Sequence, residues 1–216
     1  KSNPNLGVSI KIDYLRKQVR EAIGMPAQAS IVRRLNFCQW VEAENPWIAQ
    51  EVWETCQAPL KLEDYAGQTC FAGLDLSGRN DLTALTLAFP GSTLDCFVFY
   101  WSPNETLAQR EDRDRAPYRL WRDQGFLKVT PGGSIDYEFV AAEIARLMVD
   151  YKIKCLAFDR WKIDALIKAF DAVGISAGKE PGSDLLMADH GQGFKDMGAA
   201  VANLQAMILN RKVRVA

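Results

Sequence analysis

Two aspartates, Asp75 and Asp159, each close a short apolar run: Phe71-Ala72-Gly73-Leu74-Asp75 and Cys155-Leu156-Ala157-Phe158-Asp159. Strand alternation puts Phe71, Gly73, Asp75 and Ser77 on one face, with Ala72, Leu74 and Leu76 on the other. In the second run Cys155, Ala157 and Asp159 share a face, and Leu156 and Phe158 take the other. A carboxylate on an apolar strand is costly unless it is paired or holds a metal. If the two strands are neighbours, both carboxylates project from one sheet edge into one cleft, where their repulsion raises one pKa. A divalent cation removes that penalty. Magnesium and manganese take oxygen ligands in octahedral geometry, and two such ions about 4 Å apart can activate a water and stabilise a leaving oxygen in phosphodiester cleavage. Either aspartate alone reads first as a turn-capping residue; the pair in this order puts the metal reading on an equal footing with the structural one.

Other residues gather around these runs. Asp81 begins the strand that returns after the Gly78-Arg79-Asn80-Asp81 turn; it reads as a turn residue first and as an auxiliary metal ligand second. Asp164 falls one helical turn beyond Asp159, at a surface position. His190, the only histidine, sits in the loop Asp189-His190-Gly191-Gln192-Gly193, as a satisfied loop residue or as a phosphate contact or acid. Arg160 and Lys195 follow elements that open toward the same edge and are candidate clamps for DNA phosphates. A rival reading is an actin-like or sugar-kinase fold, whose first hairpin also runs strand, Asp, polar turn, strand and cradles ATP phosphates. That fold needs a second Asp-Gly hairpin, which this sequence lacks. A non-catalytic docking module is the third reading. Neither Gly-x-x-x-x-Gly-Lys-Ser/Thr nor Gly-x-Gly-x-x-Gly occurs.

The 216 residues are 48% hydrophobic and 25% charged, with a net charge of −1. That composition suits a globular protein of one domain, or of one domain plus an appendage. Any nucleic-acid binding rests on local patches, with candidates at Arg33-Arg34, Lys152 to Lys154, Arg160 to Lys162 and Arg211 to Arg214. Five cysteines without Cys-x-x-Cys spacing fit buried thiols better than a disulfide framework or a zinc site. One histidine argues against His-rich metal chemistry and a Ser-His-Asp triad. No run is long enough to span a membrane, and no secretory leader is evident. The chain opens at Lys1 and stops in a strand-like Val213-Arg214-Val215 run, so it reads as a piece of a longer polypeptide.

Residues 1–66 read as a small helical region: a charged helix from Asp13 to Ala22, a break at Gly24-Met25-Pro26, and a second helix from Ser30 (its N-cap) to about Glu44. Asn45-Pro46 ends that helix, and Ile48 to Cys56 forms a Trp-rich turn or short helix. Phe37, Trp40, Trp47 and Trp53 pack a helical layer, with a base-stacking platform as the sharper option. From residue 67 the pattern becomes α/β. Strands at Cys70–Ser77, Thr83–Phe89 and Asp95–Trp101 make an antiparallel meander. A helical stretch from Glu105 to Asp123 is interrupted by Pro117, and Phe126–Thr130 is a short strand. Amphipathic helices follow at Asp136–Tyr151 and Ile163–Val173, around the Cys155–Asp159 strand. Leu185–Ala188 is a further strand, and Asp196 caps a last helix. This order predicts a mixed sheet flanked by helices and covered on both faces, the arrangement of a ribonuclease H-like fold.

Along nearly its whole length the sequence also resembles the C-terminal nuclease region of tailed-phage terminase large subunits. Asn3 to Gly7 and Asn36 to Trp53 are similar to that family's segment between its ATPase and its nuclease. Gly73-Leu74-Asp75-Leu76-Ser77 with Asp81-Leu82-Thr83-Ala84 resembles its first nuclease hairpin. Trp101 to Pro103, Arg113 to Tyr118, Thr130 to Asp136, Ala157-Phe158-Asp159 and Gln192 to Met197 follow in the family's order. The resemblance implies a metal-dependent endonuclease that cuts concatemeric double-stranded DNA with two Mg2+ or Mn2+ ions, Asp75 and Asp159 being the first two catalytic acids. The family's third acid would lie beyond Ala216, so the isolated piece would bind metal weakly or cut poorly. It further implies a missing N-terminal ATPase, portal and small terminase subunit as partners, oligomerisation only in the full-length motor, and action in the cytoplasm of the bacterial host.

Overall fold

A computed structural model of the chain describes residues 6–23, 26–38, 47–78, 81–159, 163–191 and 193–216. It divides into two compact units, residues 1–55 and 56–216. The first holds helices α1 (Ile12–Ile23), α2 (Pro26–Phe37) and the short α3 (Gln50–Glu54). The α1 and α2 helices pack on one another, and Ala22 and Val32 are buried. The α2 helix begins at Pro26, four residues before the expected cap at Ser30. Proline, which lacks an N–H and has a fixed φ, is well placed in a first helical turn. It ends at Phe37, where Cys38 takes a left-handed φ of 52°; the expected continuation toward Glu44, with Trp40, lies outside the described residues.

The second unit is built on a mixed sheet. Its strands are β1 (Thr69–Asp75), β2 (Thr83–Pro90), β3 (Leu94–Pro103), β4 (Leu127–Thr130), β5 (Lys152–Phe158), β6 (Ala177–Gly178), β7 (Leu185–Asp189) and β8 (Val213–Val215). Their spatial order is β4-β3-β2-β1-β5-β7-β6, with β8 also paired to β3. The β1–β3 meander is antiparallel, whereas β5 lies parallel to β1 and β7 parallel to β5. This is the ribonuclease H-like arrangement, extended at the β3 edge. There β4 pairs with Tyr100 to Pro103 and β8 with Leu94 to Cys96, both parallel to β3.

Alternation decides which face is the core. Along β2 the residues are buried and half-buried in turn, with Leu85, Leu87 and Phe89 inward. They join Ala72 and Leu74 of β1, Phe97 and Trp101 of β3, and Leu156 and Phe158 of β5 in one apolar cluster. Helices α6 (Tyr137–Asp150) and α7 (Ile163–Ala172) close over it with Val140, Ile144, Leu166 and Phe170, none of them exposed. Each such burial contributes about 1.5–3 kcal/mol. The opposite face is covered less completely than the alternation suggests: Phe71 and Tyr100 on it remain 51% and 38% exposed.

Four element ends differ from the expectation. The stretch from Glu105 to Asp123 forms two helices, α4 (Leu107–Asp114) and α5 (Tyr118–Asp123), because Arg115 turns left-handed (φ 53°) and Pro117 caps the second. The last helix, α8 (Phe194–Leu209), is capped by Gly193, and Asp196 is its third residue instead of its cap. A carboxylate in the first turn still meets the positive end of the helix dipole. The β5 strand starts at Lys152, three residues before the apolar run. The unit boundary falls at Cys56 and not near residue 66, because Cys56 is buried and the Tyr65 ring packs 4.7 and 5.1 Å from those of Phe89 and Phe97.

Candidate active site

The β1–β5 register brings the two aspartates together. Leu74 pairs with Phe158 in the parallel ladder, so Asp75 at the end of β1 and Asp159 immediately after β5 leave the sheet from adjacent strand ends. Both line a cleft of about 300 Å³, with Gly73, Ala84, Thr86, Ala157, His190 and Met197 among its other walls. The pairings Gly73↔Thr86, Asp75↔Ala84 and Gly73↔Ala157 put these residues on the sheet face away from α6 and α7. Glycine and alanines at the alternate positions of three neighbouring strands make a low floor, and that floor is what leaves the carboxylates accessible.

The chain behind Asp75 is firmly held. The Ser77 N–H donates to the Thr83 hydroxyl oxygen at 3.0 Å, and the two hydroxyls lie 3.1 Å apart, both residues being buried. From α6 the Tyr137 hydroxyl donates to the Ser77 carbonyl at 3.0 Å, and the Ile135 N–H to the Gly78 carbonyl at 3.0 Å. Asp136 caps that helix by accepting from the Glu138 and Phe139 N–H groups. Ser77 therefore departs from the expected alternation: it closes the hairpin and does not share the cleft face with Asp75.

Charge crowding marks the same place. The Asp75 carboxyl is pushed above the ordinary carboxylate range by desolvation first, then by the charges of Asp81 and Asp159. Asp81 bonds its own turn, its Oδ1 accepting from the Leu82 N–H at 2.8 Å; it is felt at Asp75 but does not line the cleft. Among the described residues no group of three His, Cys, Asp or Glu side chains is gathered to hold a metal. Two carboxylates meet here, and a third does not.

The remaining candidates scatter. His190 lines the cleft, its backbone N–H donating to the Phe158 carbonyl at 2.8 Å. Asp164 is exposed in the first turn of α7. Lys195 is the second residue of α8. Arg160 lies outside the described residues. The sequence reading missed Thr86 and Met197 as cleft residues: Thr86 shows itself only once the β1–β2 register is known, and Met197 only once α8 is placed. A further feature is Gly191, where a Cβ would press against the Asp196 carboxylate, so a side chain there would require that carboxylate to turn aside.

A family model for the terminase large subunit, endonuclease domain, matches residues 1–216. The terminase large subunit of Enterobacteria phage HK97 is 42% identical over 216 residues, 99% of this chain and 40% of that protein. Protein YmfN of Escherichia coli (strain K12) is 29% identical over 154 residues, 66% of this chain and 34% of its own length. The crystal structure of the HK97 bacteriophage large terminase superposes with a TM-score of 0.68 at 41% identity, covering 99% of this chain and 43% of that one. The chain thus spans about two fifths of the length of the HK97 protein. These matches leave the kinase-like alternative without support. Carried by a match over its whole length, the chain belongs to the family of terminase large subunit endonuclease domains.

Proposed function

We infer that this chain cuts double-stranded DNA by metal-assisted hydrolysis of phosphodiester bonds at the Asp75–Asp159 cleft. The observation that carries the reading is the placement of two carboxylates at adjacent ends of parallel strands, facing one open cleft. The charged donors fit a hard divalent cation such as Mg2+ or Mn2+: Asp75 and Asp159 offer carboxylate oxygens at the cleft, and no described cysteine lines it. The electrostatics fit as well, since the repulsion that raises the Asp75 pKa is what a cation relieves. Bound there, such ions would lower the pKa of a water and stabilise the charge of the leaving oxygen. The chain's own part is to hold the two carboxylates apart on rigid strand ends, over a floor too low to block the phosphate. Asp81 tunes the site through its charge, and Arg160 and Lys195 clamp the DNA backbone beside it.

On this reading the chain works within a viral DNA-packaging motor, cutting concatemeric DNA in the host cytoplasm alongside an ATPase, a portal and a small terminase subunit. No described helix is long and apolar enough to cross a membrane. The direct test is plasmid nicking with Mn2+ or Mg2+. The unaltered chain should nick, and Asp75→Ala and Asp159→Ala should each remove nicking while their circular-dichroism spectra stay unchanged. Nicking that survives both substitutions sinks the assignment.

A further inference from the structure

We propose that His190 donates a hydrogen from its imidazole to the bridging oxygen that departs when the phosphodiester is cut. This rests on the nuclease reading above and adds to it the group that meets the leaving oxygen.

Placement comes first. Phe158 pairs with Asp189 as the last rung of the β5–β7 ladder, and the His190 N–H extends it by donating to the Phe158 carbonyl at 2.8 Å. His190 is therefore fixed by the sheet, one strand from Asp159, although it belongs to a glycine-rich loop. The residue is half-buried and lines the cleft, and its ring has no hydrogen-bond partner among the described residues. The floor of Gly73, Ala84 and Ala157 leaves the space between His190 and the two carboxylates open.

The chemistry then requires a donor. A water oxygen forms the new bond to phosphorus and releases a proton to solvent. The bond from phosphorus to the bridging oxygen breaks, and its electron pair stays on that oxygen. The oxygen must take up a proton to leave as an alcohol. Ionised Asp75 and Asp159 accept hydrogen bonds but cannot donate them. Among the described residues that line the cleft, two side chains can donate, Thr86 and His190. Thr86 pairs with Gly73, two residues down the strand from the Asp75↔Ala84 pair, which is about 7 Å deeper at the rise of an antiparallel strand. His190 stands at the level of the strand ends. Its ring passes a hydrogen to the departing oxygen and recovers one from solvent.

The test compares His190→Ala and His190→Gln with the unaltered chain in single-turnover cleavage of a duplex carrying sulfur at one departing bridging position. The product ends show whether that position is 3′ or 5′. At ordinary phosphodiesters His190→Ala should slow cleavage by about 10²-fold or more, and His190→Gln should be as slow, because its amide hydrogen-bonds but does not give up a proton. At the sulfur-bridged position the alanine variant should cut within about threefold of the unaltered chain, because a thiolate leaves without a proton. Equal slowing at both positions, or no slowing at either, overturns the proposal. A lack of cleavage by the unaltered chain overturns the nuclease reading itself. A second readout needs no turnover: His190 is the only histidine, so the Cε1 proton of its ring gives one imidazole signal of that kind. A short DNA duplex added with calcium as the cation should shift that signal. An unmoved signal in a chain that binds the duplex also overturns the proposal.

Discussion

Arg214 grips the Asp95 carboxylate through two hydrogen bonds of 2.7 and 2.5 Å, joining β8 to the start of β3 across 119 residues of sequence. The Tyr65 hydroxyl donates to the same carboxylate at 2.6 Å and that of Thr93 at 2.8 Å. The backbone of β8 is held equally closely: the Ala58 N–H donates to the Val215 carbonyl at 2.9 Å and the Val215 N–H to the Cys56 carbonyl at 2.7 Å. First and last segments of the sheet unit are thus fastened at the end of β3 far from the cleft.

This clasp predicts a pH-dependent stability. Arg214 foremost holds the Asp95 pKa down from 3.8 to about 2. A depressed carboxyl pKa stabilises the folded state above the unfolded value, and that stability is lost as pH falls from about 4 toward 2. The linkage is worth about 2 kcal/mol. Arg214→Ala should lower the unfolding free energy by about that amount at pH 7 and flatten its decline between pH 4 and 2. Urea titrations at several pH values would show it; a variant that keeps the original acid profile contradicts the clasp.

The hairpin behind Asp75 has its own weak point. Thr83, fully buried, supplies the acceptor for the Ser77 N–H. Thr83→Val keeps the shape but leaves that N–H unpaired in the interior, at a cost of about 1–3 kcal/mol. The turn after Asp75 should also loosen. We expect a lower melting temperature together with faster amide exchange at Ser77 and Gly78, while exchange in α7 stays as before.

How much of this was readable in the chain follows from the range of each signal. The Asp75 and Asp159 runs were visible because a carboxylate ending an apolar alternation is rare and local. Their adjacency came from the order of elements, which admits few topologies. Ser77 was assigned to the wrong side because alternation says nothing about where a strand stops; the strand ends at Asp75, and the Thr83 hydroxyl draws Ser77 inward. Asp196 was taken for a cap because Asp favours that position, yet its own N–H and that of Met197 donate to the Gly193 carbonyl, so the helix starts earlier, at Phe194. Thr86 and Met197 carry no local signal at all. Only the register of β2 and the position of α8 bring them to the cleft.

The crowded carboxylates give a prediction whose sign is opposite to that of Asp95. Desolvation, Asp81 and Asp159 raise the Asp75 pKa above its ordinary 3.8. The folded state therefore holds that proton more tightly than the unfolded chain, and stability falls as pH rises from 3.8 through the raised value. Without metal, Asp75→Asn should be slightly more stable than the unaltered chain at pH 7, by less than about 1 kcal/mol because the side chain is exposed and screened. The difference should vanish below pH 3. Mn2+ should reverse the ranking, raising the melting temperature of the unaltered chain and leaving that of the variant in place. Calorimetry with EDTA and with Mn2+ checks both signs.

The floor of the cleft can be tested without touching a charge. Gly73 lies between the carboxylates and Thr86, and a side chain added there meets open space, with no atom within 4 Å. Its φ is not left-handed, and a β-branched residue suits a strand. Gly73→Val should therefore fold at least as stably as the unaltered chain, by up to about 1 kcal/mol, since glycine gives up more backbone freedom on folding. Its isopropyl group would rise into the volume that a phosphate must enter. Nicking should fall by at least about tenfold while the melting temperature holds or rises. Gly73→Ala, with a single methyl group, should fall between the two. A valine variant that nicks at the original rate would show that the substrate does not approach Asp75 and Asp159 over this floor.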